Sequence, residues 1–273
     1  MRRGIGHGLR LGVGPDGLSL WRASRWRTPA WTLLGEQAYA PQEDLGLHGD
    51  FAALGQALEQ LLPPGVYGGW PLSVVLDDAL ARLWQVDLPQ GAARLADIEA
   101  AAALRFQSLY GDPPGLWQSS RAWDARAPFF CAAPRALLAQ IVRVAGERKL
   151  ALLFITPQFV RNWNRWQGAL KPGAWLGQLQ AQMLTLGVVH DGRLSAVRTL
   201  AVPHGAQRYW LEQALAREAL LQGLPPPSLL QLSGAAPADW LAPRAAGEFS
   251  CGVFVPAGAL SPAALLAQSG GPA

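Results

Sequence analysis

Apolar residues recur along this chain at two spacings, and the shorter one marks its most legible segment. Between Ala174 and Pro203 the pattern reads as a three-strand meander: Trp175 to Gln180, Met183 to His190 and Arg193 to Val202. Asp191-Gly192 joins the last two strands as a two-residue hairpin turn. On the third strand Leu194, Ala196, Leu200 and Val202 share a face that Arg198 interrupts. A shorter copy opens the chain, where Arg10 to Gly14 and Leu18 to Arg22 are joined through Pro15-Asp16-Gly17. Two hairpins at the heads of two halves predict an internal duplication.

The remaining elements follow from the same patterns. Trp31 to Ala40 predicts a third strand. Phe51 to Leu62 carries apolar residues at helical spacing, with Asp50 as N-cap and Pro63-Pro64-Gly65 as the stop. Pro71 to Leu76 predicts a short strand buried on both faces. Asp77-Asp78 begins a turn or helix that continues through ALARLW. Leu95 to Tyr110, rich in Ala and Leu, predicts a helix ending at Gly111, and Pro113 to Ala127, with Trp117 and Trp123, reads as a loop. Strand and helix then alternate: Pro128 to Ala133, a helix opened by Pro134, Leu150 to Thr156, and a helix from Pro157 to Trp166. Beyond the meander come a helix over Gln207 to Gln222, strands at Ser228 to Ser233 and Glu248 to Val255, and a short C-terminal helix.

Composition narrows the class. With 273 residues, 50% of them hydrophobic and 15% charged, the chain buries a real core as one large domain or two lobes. The net charge of +4 comes from arginine, since Lys149 and Lys171 are the only lysines, and it marks a GC-rich genome more than a nucleic-acid footprint. Cys131 and Cys251 both sit in apolar surroundings and read as buried free thiols. The N-terminus lacks the apolar run of a signal peptide, and the run from Leu150 to Ile155 is far short of the roughly 20 residues that span a bilayer. These features predict a soluble, cytoplasmic protein.

Little of the sequence carries a chemical signature. Asp77, at the end of a buried strand, is placed for a catalytic carboxylate, but the commoner role there is to cap the following turn. Glu99 reads as part of a solvated helix face. His7, His48, His190 and His204 are scattered, and no cluster has metal-ligand spacing. The serines lack a nucleophile-elbow setting. GVGPDG at Gly12 to Gly17 matches a dinucleotide fingerprint in letters only, because a strand follows it where a helix is needed. Neither lysine follows a glycine, so a P-loop is absent. Trp21 to Trp31 interleaves three tryptophans with three arginines, a composition that grips an extended peptide, stacks bases, or packs indoles under arginine stems.

The order of elements resembles the actin-like ATPase superfamily, in its branch of PilM-like pilus-assembly proteins and the cytoplasmic domain of the type II secretion L protein. The resemblance is carried by the opening hairpin, PLSVVLDDALARLWQVDLP, EAAAALRFQSLYG, FFCAAPRALLAQIVRVAGERKLALLFITP and the meander ending in VRTLAVP, across roughly residues 8–235. It implies an α/β, two-lobed actin-like (ribonuclease H-like) fold with mixed sheets, with lobe I at residues 1–168 and a reduced lobe II at 169–273. The same resemblance places two phosphate loops. In the first, a hydrophobic-Asp-hydrophobic-Gly pattern falls on Leu11-Gly12-Val13-Gly14, so the acidic position is Gly12. The second falls on Gly177 to Ala181, which carries neither the Asp nor the Gly where the pattern needs them. A Gly-Gly element on the adenosine side survives in degenerate form as Ser233-Gly234.

Magnesium-dependent phosphoryl chemistry needs carboxylates on the metal and backbone N–H groups on the phosphate. Gly12, Gly14, Ser233 and Gly234 are thus degenerate nucleotide-loop positions, and the expectation is a pseudo-ATPase with no catalytic residues, no metal and no cofactor. The resemblance implies a bacterial cytoplasmic scaffold of a pilus or type II secretion-like platform, peripheral to the inner membrane. Its expected partner is the cytoplasmic segment of a single-span inner-membrane protein, with an assembly ATPase as a further candidate; nucleic-acid binding and membrane insertion are not expected. Trp21, Arg22, Trp26 and Arg27 are the expected partner surface. The alternatives are an ATP-binding or kinase-like enzyme of the same superfamily, with Asp16 or Asp77 as the missing carboxylate, and a nucleic-acid binder using the Trp/Arg stretch.

Overall fold

Strands and helices alternate through the computed structural model, which describes residues 6–24, 30–41, 49–86, 94–121, 128–243, 245, 247–254 and 261–269. The chain divides into two units, one reaching to Gln158 and resuming at Ser261, the other running from Phe159 to Leu260. The division therefore falls ten residues before the expected end of lobe I at 168, and the C-terminal segment belongs with the first unit rather than with 169–273.

In the first unit β1 (His7–Val13), β2 (Gly17–Ser24) and β3 (Trp31–Ala38) form an antiparallel meander, followed by α1 (Ala52–Leu61) and β4 (Pro71–Leu76). Next come β5 (Arg82–Gln85), α2 (Leu95–Tyr110), β6 (Trp117–Arg121), β7 (Phe129–Pro134), α3 (Arg135–Glu147) and β8 (Ala151–Pro157). The main sheet has the order β3-β2-β1-β4-β8, with β4 parallel to both β1 and β8. Alternation along β1 decides its two faces. Leu9, Leu11 and Val13 join Leu54, Leu58, Leu137 and Ile141 of α1 and α3 in one apolar core. Arg10 and Gly12 point the other way. A second, three-stranded antiparallel sheet, β5-β7-β6, packs Trp84, Trp117 and Phe130 against Ala102 and Phe106 of α2.

The second unit contains α4 (Gln158–Trp166), β9 (Ala174–Gln180), β10 (Met183–His190), β11 (Arg193–Ala201), α5 (Arg208–Leu221), β12 (Leu229–Ser233), α6 (Ala238–Leu241) and β13 (Ser250–Val253). Its sheet order, β11-β10-β9-β12-β13, repeats that of the first unit strand for strand: a meander, then two parallel strands added beside its first member. This is the duplication that the two hairpins predict. Asp191 (φ 50°) and Gly192 (φ 72°) make the turn between β10 and β11 with two positive φ angles, as the Asp-Gly pair requires. Because the second sheet is complete, what this unit lacks among the described residues is an inserted sheet like β5-β7-β6.

Two local expectations are corrected. Pro113 to Ala127 is not wholly a loop, since β6 lies within it. ALARLW is not helical: a 3₁₀ turn over Asp78–Leu80 gives way to β5, which pairs with β7. The last element, α7 (Pro262–Gln268), is capped by Ser261 Oγ accepting from the Ala264 N–H at 3.0 Å, and it packs on β1 and β2.

Candidate functional site

The β1–β2 hairpin sits where the resemblance puts a phosphate loop, and α7 determines what it can hold. Position 12 faces α7, so a Cβ there would run into the Ala263 carbonyl oxygen and stand 2.9 Å from the Ala267 amide nitrogen. Only a residue without a side chain fits under this helix. Neighbouring polar groups on the same face hold the helix in place. Ser19 Oγ donates to the Ala263 carbonyl, and Arg10 Nη1 donates to the Ser269 carbonyl at 3.2 Å. Gln158 Nε2, 2% exposed, donates to Ser269 Oγ at 2.9 Å.

The turn itself has little left for an anion. The Gly14 N–H donates to the Gly17 carbonyl at 2.8 Å, the Tyr39 hydroxyl donates to the Gly14 carbonyl, and Pro15 has no N–H. Asp16 stands exposed beside it. Asp77, 4% exposed, accepts the Ala79 N–H at 2.9 Å, so it is the cap of the turn after β4. Burial, reinforced by the charge of Asp16, pushes its carboxyl up to about 6 against the cap bond that lowers it. A missing N–H and a used one make this hairpin a poor cradle for phosphate. Among the described residues no group of three or more His, Cys, Asp or Glu could hold a metal ion.

The corresponding positions of the second unit are also packed. Gln178 is 1% exposed and its side-chain oxygen accepts from Asn162 Nδ2 of α4. Gly234 follows β12 at φ 108°, where a Cβ would run into the Leu179 carbonyl oxygen. Ser233 pairs with Gln178 in the ladder between β12 and β9. Each of the four degenerate positions, Gly12, Gly14, Ser233 and Gly234, thus has a packing or hydrogen-bonding role.

The expected partner surface is divided. Trp21 is 6% exposed on β2, opposite Arg10 in the ladder, and so belongs to the interior on the face that α7 covers. Arg22 is half-buried and its guanidinium donates to Thr32 Oγ1 at 3.4 Å. Trp26 and Arg27 lie outside the described residues, as do His48 and Trp123.

A groove of 440 Å³ lies instead between α3 and the β5-β7-β6 sheet of the first unit. Leu138, Ala139 and Val142 of α3 form one wall, Ile155 and Pro157 of β8 extend it, and Cys131 to Ala133 of β7 form the floor. Gln118 and Ser120 of β6 make the far rim. Val142 is 53% exposed, an apolar side chain offered to the surface. β6 is the last strand of its sheet, and among the described residues no strand pairs with its outer edge. Burial and the charge of Asp78 push the Cys131 thiol up to about 11, so the floor is neutral at physiological pH. The arrangement suits apolar contact and main-chain pairing, with no nucleophile or base within it.

The sequence held one signal for this groove. Leu137, Ile141 and Val144 make the stripe of α3 that enters the core. Leu138, at the margin of that core, and the exposed Val142, four apart, make a second apolar stripe that continues from the core to the surface.

No protein-family model matches the sequence, and no curated protein matches it. Solved structures do. The cytoplasmic domain of EpsL, an inner-membrane component of the type II secretion system of Vibrio cholerae, is similar with a TM-score of 0.59 at 13% identity, over 96% of this chain and 94% of that one. A Bacteroides thetaiotaomicron protein with an actin-like ATPase fold and unknown function is similar with a TM-score of 0.60 at 10% identity, over 91% of both chains. The PilM–PilN type IV pilus biogenesis complex gives 0.49 at 17% identity, over 77% of this chain and 65% of that one. The chain has an actin-like ATPase fold of mixed α/β sheets, as the order of its elements leads one to expect.

Proposed function

We propose that this chain is a non-catalytic scaffold that docks a short extended segment of a membrane partner, within an inner-membrane platform of the type II secretion or type IV pilus kind. The observation that carries the docking is the apolar groove beside the open edge of β6. An added strand gains main-chain hydrogen bonds from such an edge, and a flanking groove receives every second side chain. The groove therefore takes the role expected of the Trp21 to Arg27 stretch.

The lack of hydrolysis is supported by the first hairpin, where α7 fills the space that a carboxylate at position 12 would need. The setting is supported by the fold shared with the cytoplasmic domain of an inner-membrane secretion component. In this reading the docked segment is the cytoplasmic segment of a single-span inner-membrane protein, an assembly ATPase is a second partner, and the chain is peripheral to the membrane through the first. Among the described residues no helix is long and apolar enough to cross a membrane. The rival nucleotide-binding reading has the nearness of Asp16 and Asp77 at the first hairpin in its favour and the closed position 12 against it.

Panning a display library of short random peptides on the purified chain tests this reading. Enriched peptides carry apolar residues at alternate positions, and they bind Val142→Glu at least about tenfold more weakly, the loss of roughly one buried apolar contact. Val142 is exposed on a helix, so the variant folds. Equal binding of the enriched peptides to both proteins removes the groove as the docking site.

A further inference from the structure

One row of side chains along α3 borders the apolar groove: Arg135, Leu138, Ala139 and Val142, spaced three and four apart. Three of them are apolar. The fourth, at the N-terminal end of the row, is the one charged side chain among the described residues that line the groove. Its guanidinium is held in place on one side. Arg135 Nε donates to the Gly115 carbonyl at 3.0 Å, and Nη1 donates to Gln118 Oε1, which ties the group to β6 and the turn before it.

A guanidinium has five N–H bonds, so three remain: one on Nη1 and both on Nη2. Among the described residues they have no acceptor, and no carboxylate pairs with this exposed cation. Asp78, whose charge reaches the Cys131 thiol of the floor, is 5% exposed and does not line the groove. Helix stability does not account for the charge either, because a cation in the first turn opposes the macrodipole. The groove is thus apolar along its length and positive at one end, with two neighbouring nitrogens able to meet a carboxylate in parallel.

We propose that the groove selects an acidic partner segment, one whose apolar residues are accompanied by an aspartate or glutamate that pairs with the Arg135 guanidinium. This rests on the docking proposed above and adds the charge of the docked segment to it. Arg135 and Val142 are seven residues apart on α3, a rise of about 10 Å at roughly 1.5 Å per residue. An extended segment covers that length in about three residues, at roughly 3.3 Å each. The acidic residue therefore stands about three positions from the apolar residue that meets Val142. A lysine or arginine at that position meets like charge and is rejected.

The test takes the peptides enriched by panning on the full chain and synthesises each in two forms, with its acidic residue and with the matching amide. Fluorescence anisotropy on the unaltered protein should show the acidic form binding about fivefold more tightly, the size of an exposed charge pair. The difference should shrink as salt is raised toward about 1 M. Arg135→Glu, at an exposed position, should reverse the preference and favour a lysine in place of the acid, whereas Arg135→Lys should keep most of the original preference. Equal binding of the two forms, lysine or arginine enriched on the unaltered protein, or an unchanged preference in Arg135→Glu would each overturn the proposal. Val142→Glu is scored with the amide forms, which carry no acid for it to repel. Weaker binding there without an acid preference removes only the charge, equal binding there removes the groove, and a library that yields no binder removes both.

Discussion

Alanine at position 12 would test the packing of α7 on the β1–β2 hairpin. Its Cβ meets the Ala263 carbonyl oxygen, and also stands 2.9 Å from the Ala267 nitrogen and 3.0 Å from Leu266 Cβ. The protein has two responses. It keeps α7 docked and absorbs the overlap, which for an extra methyl group in a packed interior costs about 1–3 kcal/mol. Otherwise it releases α7 and exposes Leu266, which is fully buried, at about 1.5–3 kcal/mol for that side chain. Both routes predict a loss of about 1–3 kcal/mol for Gly12→Ala, or roughly 2–4 °C in Tm for each kcal/mol. Gly12→Asp adds an uncompensated charge to the same space and should be less stable still, without gaining affinity for Mg·ATP. Urea denaturation measures the loss, and hydrogen exchange at Leu265 and Ser269, whose amides donate to the Ser261 and Leu265 carbonyls, shows whether α7 has let go. A Gly12→Ala protein as stable as the parent would refute the contact, and a Gly12→Asp protein that binds Mg·ATP would refute the inference drawn from it.

Two further substitutions probe buried polar groups. Asp77 has its carboxyl raised from 3.8 to about 6, so the folded state holds the proton more tightly than the unfolded chain. The stability linked to this group is full below pH 3.8 and is lost as the pH rises through about 6. Asp77→Asn retains an acceptor for the Ala79 N–H without the charge. It should therefore be more stable than the parent at pH 7, by up to about 3 kcal/mol, and equal to it near pH 4 in paired denaturation curves. Arg208, 3% exposed, pairs with Glu212 at 3.0 Å and donates to the carbonyls of Trp240 and Ala242 at 3.0 Å and of Phe249. Arg208→Met leaves these acceptors unmatched and should cost about 3–5 kcal/mol by urea denaturation; Arg208→Lys should recover only part, because an ammonium lacks the planar fork.

What the sequence revealed follows a physical line between local and distant causes. The hairpins were legible because Asp191-Gly192 fixes its own turn and alternating residues fix their own faces, and α2 was legible because Gly111, at φ 71°, ends it locally. β6 was not. In WQSSR only Trp117 is buried, so no alternation marks the strand, and its pairing comes from β7. The run ALARLW misled because Leu80, Leu83 and Trp84 have helical spacing, while the sheet and α2 bury Trp84 in a strand. Trp21 read as a surface residue because nothing near it in sequence covers it. The face it occupies is closed by α7, whose return from residue 262 no local pattern announces. The same return explains Gly12, which the family resemblance implies is a lost carboxylate and the structure explains as the residue that lets a helix backbone sit on β1.

Calorimetric titration of Mg·ATP into the purified chain tests the scaffold account most directly. With the Gly14 N–H donated to Gly17, Pro15 lacking one, and α7 packed against Gly12, the account predicts no heat of binding up to millimolar nucleotide. Saturable micromolar binding, with phosphate released on incubation, would contradict it.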